Sequence, residues 1–123
     1  MNPTRALRIA ALMGFLAVAL GAFGAHGLKS TLEANGQMQT WQTAAHYHLV
    51  HAVVLLVLAL RSTVARRSFV LFGAGILIFS GSLYLLAVTN MKWLGAVTPI
   101  GGLCLLLGWL TLAFGRGRLS AAS

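Results

Sequence analysis

Few side chains in this sequence could do chemistry, and most of them stand inside apolar runs. Tyr47, His48 and His51 are spaced so that, on a helix, the two imidazoles share a face and the phenol sits one turn before His51. Further along come Ser80, Tyr84 and Thr98, with Pro99 directly after Thr98, and His26 closes the first apolar run. Such a set has several uses: an interhelical hydrogen-bonded layer, a proton relay or small-ligand site, a metal site, or axial ligation of a haem between helices. A structural zinc site usually takes four Cys or His ligands, no carboxylate lies within the runs, and Met13 and Met91 are too scattered for copper, so no metal or cofactor is expected. His46 and His48 read as wet residues near an interface. No Ser/His/Asp set, carboxylate pair or phosphate-cradling loop is present, and the sole acid, Glu33, falls in a polar link. Hydrolytic catalysis is not expected, and the chain reads as a non-enzyme.

The elements that must position these groups follow from composition. The chain has 123 residues, 59% hydrophobic and 8% charged, with a formal net charge of +8. Its mean hydropathy is +0.86. Too few charges are present to cover a water-facing surface, which excludes a soluble enzyme. Four apolar segments, at about 9–28, 41–60, 69–88 and 93–114, each approach the length needed to cross about 30 Å of hydrocarbon, so they read as helices of one all-α transmembrane domain covering 1–123, a four-helix bundle. Arg5 and Arg8 ahead of an apolar stretch, with small residues at Ala22 to Ala25, also outline a secretory signal peptide; the segment is read here as a span.

Charge sets the expected orientation. Arg5, Arg8, Arg61, Arg66, Arg67, Arg116 and Arg118 fall on one side of four spans, and Lys29 and Lys92 on the other, which places both termini in the cytoplasm. Cations standing beside apolar segments suit lipid headgroups better than nucleic acid. The single cysteine, Cys104, allows no internal disulfide. Counted at about 1.5 Å per residue, His51 and Ser80 fall near the bilayer midplane, His48, Tyr84 and Thr98 in the outer half, and His26 near the outer edge.

Between the first two spans, Ser30 and Glu33 have capping-box spacing and Asn35-Gly36 supplies a stop, predicting a short surface helix at about 30–35. Small residues mark the expected helix-packing faces: Gly14, Gly21 and Gly24 on the first span, Gly81 on the third, Gly101 and Gly108 on the fourth. Pro99 is expected to kink the fourth span and free a carbonyl toward the polar layer.

Five segments, in order, carry a resemblance. They are Gly21-Ala22-Phe23-Gly24-Ala25-His26-Gly27-Leu28; Thr43-Ala44 with Tyr47 and His51; Phe79-Ser80-Gly81-Ser82-Leu83-Tyr84; Gly95 with Thr98-Pro99-Ile100-Gly101-Gly102; and Gly108-Trp109. Together they resemble the domain-of-unknown-function 423 family of small multipass proteins of bacterial inner membranes, over about Ala10 to Leu112. The resemblance implies a four-span integral membrane protein and brings no established activity. His26, Tyr47, His51, Ser80, Tyr84, Thr98 and Pro99 match the family pattern, whereas His46 and His48 depart from it, so a mechanism needing all four histidines is not implied.

The leading expectation is a non-catalytic membrane protein that forms a homo-oligomer or accompanies a larger membrane complex through its glycine-rich faces, among membrane lipids and without nucleic acid. The alternative is a small-solute, lipid or proton-handling site around His51, lined by Tyr47, Ser80, Tyr84 and Thr98 beneath an opening near His26. That alternative predicts a cavity reaching the polar layer. Haem or metal binding stands third.

Overall fold

The computed structural model describes residues 1–115, which are helical with no strand among them. Arg116, Arg118 and the tail from Leu119 to Ser123 lie outside the described residues. Four helical stretches are long and apolar enough to cross a membrane. The first is α1 (Pro3–Ala25), followed by the short link helix α2 (Lys29–Asn35) and the second span, α3 (Met38–Ala59). The third span, Arg66–Thr89, joins α4 (Arg66–Gly75), a π-helical segment (Ile76–Ser80) and α5 (Gly81–Thr89). The fourth, Lys92–Phe114, opens with a 3-10 turn (Lys92–Ala96) and continues as α6 (Thr98–Phe114).

Local chemistry explains the boundaries. α1 starts well before the apolar run because the Asn2 side chain accepts from the N–H groups of Thr4 (2.9 Å) and Arg5 (3.2 Å), and Pro3 stands where a missing N–H costs nothing. Arg5 and Arg8 are carried on the helix with exposed side chains. The link helix differs from expectation at its start. α2 begins at Lys29 with no side-chain cap, because the turn before it already supplies acceptors: Lys29 N–H reaches the His26 carbonyl (3.4 Å) and Leu32 N–H that of Leu28 (2.9 Å). Its stop is Gly36, left-handed at φ 65, whose N–H turns back to the Glu33 and Leu32 carbonyls.

The spans pack in chain order, α1 on α3, α3 on the third span, and the third span on α6. The seam of α1 is Ala6, Ala10, Ala17 and Gly24, with Met13 and Leu20 half-buried between them, a 4-3-4 spacing that keeps one narrow stripe against α3. Hydrocarbon tails offer helices little reason to leave lipid, so close approach through small residues has to supply the contact. One apolar cluster at the arginine-bearing end includes Leu55, Leu58, Val64, Phe69 and Phe72; a second at the opposite end gathers Leu32, Trp41 and Ala87 with Tyr84 packed on it.

Two features of the later spans correct the sequence reading. Pro99 does not kink a continuous helix: the chain before it is a 3-10 turn, and Pro99 stands in the first turn of α6, where its lack of an N–H breaks no ladder. The third span is not a uniform α-helix either. Its π segment widens one turn, which re-aims the side chains that follow. Gly101 of α6 lies against this segment so closely that a Cβ would overlap the backbone of Phe79 and Ile78.

Candidate functional site

His51 lies where three spans meet. The ring is 5% exposed, and its two nitrogens face groups that fix the proton. Nδ1 is 2.8 Å from the Tyr47 carbonyl, which can only accept, so Nδ1 carries the hydrogen. Trp109 of α6 donates its indole N–H to Nε2 at 3.1 Å, so Nε2 is bare. The imidazole is therefore the neutral Nδ1–H tautomer with both ring nitrogens bonded. Phe72 of α4 and Trp109 close around it, with ring centroids 5.6 and 5.9 Å from that of His51. In turn the Phe72 ring rests on Gly108, where a Cβ would stand 2.8 Å from it.

His48, one turn earlier, is buried rather than wet, which corrects its reading as an interfacial residue. It falls on the same 3-4 repeat as Trp41, Ala44, His51, Leu55 and Leu58, the buried face of α3. Its Nδ1 is hydrogen-bonded to the Tyr84 hydroxyl of α5 at 2.9 Å, and the ring lies beside the Met13 backbone of α1. Nε2 has no hydrogen-bond partner. Among the described residues no other buried side-chain nitrogen or oxygen is left so. The Tyr84 ring also packs against Trp41, centroids 4.6 Å apart and planes tilted by 57°, and the Trp41 indole N–H donates to the Leu20 carbonyl of α1 at 2.9 Å. Trp41 lies over Gly24, and any Cβ there would penetrate the indole.

The remaining polar groups tie spans together in pairs. Ser80, 1% exposed at the end of the π segment, donates to the Ala44 carbonyl of α3 at 2.8 Å. Ser82 donates to the Phe79 carbonyl (2.9 Å) and meets the Thr98 hydroxyl of α6 at 2.6 Å. Ser68 meets Thr111 at 2.8 Å, and Thr111 donates to Gly108. At the opposite end Asn35 of the link donates to the Ala87 and Val88 carbonyls (2.9 and 3.0 Å). Each adjacent pair of spans thus has at least one side-chain hydrogen bond across it.

The residues singled out from sequence do not form one site. Tyr47, His51 and Pro99 come together with Phe79, Gly102 and Trp109 around a groove of about 430 Å³ between α3 and α6. Tyr47, Leu103 and Leu106 on its walls are exposed, so it opens sideways toward lipid chains. Tyr84 belongs with His48, Thr98 with Ser82, and Ser80 with Ala44; none of them lines the groove. His26 is exposed at the C-cap of α1 and meets none of the others. Of the glycines, Gly24, Gly101 and Gly108 hold close contacts, whereas Gly14, Gly21 and Gly81 have no neighbour within 4 Å of where a Cβ would point, so they do not pack helices within the described residues. Gly75, not among the expected packing glycines, lies closely against Leu105 of α6.

The sequence pattern of a family described as "Protein of unknown function (DUF423)" matches residues 20–102, which hold the Trp41–Leu20, His48–Tyr84, Ser80–Ala44 and Ser82–Thr98 contacts between spans but not Ser68–Thr111 or Trp109–His51. The chain belongs to the DUF423 family. It is 40% identical over 111 residues to the UPF0382 membrane protein YwdK of Bacillus subtilis, covering 85% of this chain and 89% of the relative. To the UPF0382 inner membrane protein YgdD of Escherichia coli it is 41% identical over 120 residues, 92% of this chain and 89% of that one. A UPF0382 membrane protein of Haemophilus influenzae is 44% identical over 114 residues, 89% and 90% of the two chains. No solved structure matches at a significant level. With four apolar spans, this family member is an integral membrane protein.

Proposed function

We propose that the protein is a non-catalytic component of the bacterial inner membrane, with both termini cytoplasmic, that associates with copies of itself or with a larger membrane complex. One observation carries this reading: apart from His48 Nε2, every buried polar side-chain atom among the described residues is bonded within the chain, and the bonds of His48, Ser80, Ser82 and Trp109 to Tyr84, Ala44, Thr98 and His51 join one helix to the next. Groups spent in this way hold geometry and are not free to act on a substrate. The outer spans support the association, since only 17% of each apolar window in the first and fourth is buried, against 39% and 33% in the second and third. On α1 the uncovered stripe carries Gly14 and Gly21, seven residues apart, where another helix can approach closely. The orientation rests on the described cations Arg5, Arg8, Arg61, Arg66 and Arg67 at one end. Crosslinking in native membranes, followed by sizing in mild detergent, is expected to capture an oligomer or a partner subunit; a protein that stays monomeric and captures nothing would overturn the reading.

The groove at Tyr47 and His51 supports a second reading, occupation by a small apolar guest or lipid chain. Proton relay through His51 finds less support, because Trp109 and the Tyr47 carbonyl already occupy both nitrogens.

A further inference from the structure

The groove between α3 and α6 carries one polar group with nothing to bond. The polar tips of Tyr84, Trp41 and Trp109 are each bonded within the chain, to His48, the Leu20 carbonyl and His51. The Tyr47 hydroxyl, on the groove wall, has no hydrogen-bond partner among the described residues. Its depth is fixed by Phe79, whose ring it packs on with centroids 4.9 Å apart. Counted at about 1.5 Å per residue from Thr89, the end of the third span, Phe79 lies about 15 Å in, near the bilayer midplane and away from headgroup water and ester carbonyls. An unbonded hydroxyl is costly there, and its acceptor has to come from something dissolved in the hydrocarbon. The walls suit a flat occupant. Phe79, from the π segment, faces Gly102, where a Cβ would stand 3.6 Å from the ring, and Trp109 closes the groove toward the arginine-bearing end. At about 430 Å³, with apolar and aromatic walls and one free donor, the groove has the size and make-up of a small-molecule site.

We propose that this groove binds a membrane-dissolved isoprenoid quinone, with the Tyr47 hydroxyl donating to a ring carbonyl, the ring against Phe79 and the chain leaving sideways into lipid. The proposal names the occupant for the second reading given above and rests on it. Other membrane guests meet only part of the demand: an acyl chain brings no acceptor, and a phospholipid carries its ester carbonyls at the interface. A quinone travels in the hydrocarbon, carries its acceptor there, and presents a planar ring to aromatic walls.

The test is native mass spectrometry of the delipidated full chain in mild detergent, titrated with decylubiquinone and, separately, with its tetramethoxy analogue, in which methoxy groups replace both carbonyls. One decylubiquinone per chain is expected to bind about fivefold more tightly than the analogue. Tyr47→Phe, which removes only the hydroxyl, is expected to bring the two compounds to similar affinity, while Tyr84→Phe, which removes a phenol outside the groove, keeps the preference. Gly102→Leu, which fills the groove over Phe79, is expected to abolish binding of both. Circular dichroism of each variant verifies the helical fold, and the contrast between the two compounds on the unaltered chain needs no variant. Equal binding of the two by the unaltered chain, or a preference that survives in Tyr47→Phe, would overturn the quinone and leave the groove to an apolar guest. Binding of neither compound would overturn the second reading together with the quinone.

Discussion

The region around His48 and the region around His51 are built from the same parts. Each has an aromatic ring seated on a glycine of a neighbouring span, Trp41 on Gly24 and Phe72 on Gly108. Each has a histidine of α3 bonded to an aromatic side chain of another span, Tyr84 or Trp109. They differ in completion. His51 has a partner at both nitrogens, whereas His48 has one bond, at Nδ1, and no hydrogen-bond partner at Nε2. A membrane interior makes an unpaired polar atom expensive. Polarity alone thus says little about a histidine's role in this bundle; the element packed against each nitrogen decides it.

The comparison breaks most readily at the glycines. Gly24→Ala is expected to cost about 2–3 kcal/mol, because the indole it meets is pinned by its bond to Leu20 and cannot tilt away. Gly108→Ala is expected to cost about 1 kcal/mol, since the Phe72 ring has no polar anchor. Reversible unfolding in detergent, read by far-UV circular dichroism, would rank the pair, and equal costs would remove the distinction. Next in size is His51→Phe, which leaves the Trp109 N–H without its acceptor and is expected to cost about 1–2 kcal/mol on the same measure. Trp109→Phe, which leaves Nε2 of the buried His51 without its donor, is expected to cost about the same. His48→Phe has the smallest expected effect, within about 0.5 kcal/mol of zero, because the loss of the Tyr84 bond is offset by removal of a buried atom without a partner. If His48→Phe proved as costly as His51→Phe, the two regions would not differ as described.

How much of this could be read from the residues depended on the scale of the signal. The four spans were legible because about 20 apolar residues in a row admit little else. Gly36 was legible as a stop because a left-handed residue ends the helix there. The burial of His48 had a signal too, the 3-4 repeat from Trp41 through Ala44 and His51 to Leu58, which outweighs its polarity. Thr98-Pro99 could likewise have been read as a helix start, since proline is at home in a first turn. The π segment left no such mark, because Ile76 to Ser80 contains neither glycine nor proline and is set by packing against Gly101. The candidate site was only partly legible for a related reason. Spacing brings Tyr47 and His51 together on one helix, but their meeting with Trp109, 58 positions away, depends on how α6 packs against the third span.

If the intramembrane polar groups fasten helices to one another, the proton on His51 must stay where its partners hold it. Nitrogen-15 NMR of the imidazole, with the full chain in lipid bilayers at neutral pH, reads this directly. The expected result is a protonated Nδ1, a bare Nε2 and a through-bond coupling from Nε2 to the indole N–H of Trp109. A protonated Nε2, or a proton exchanging between the two ring nitrogens, would contradict the account.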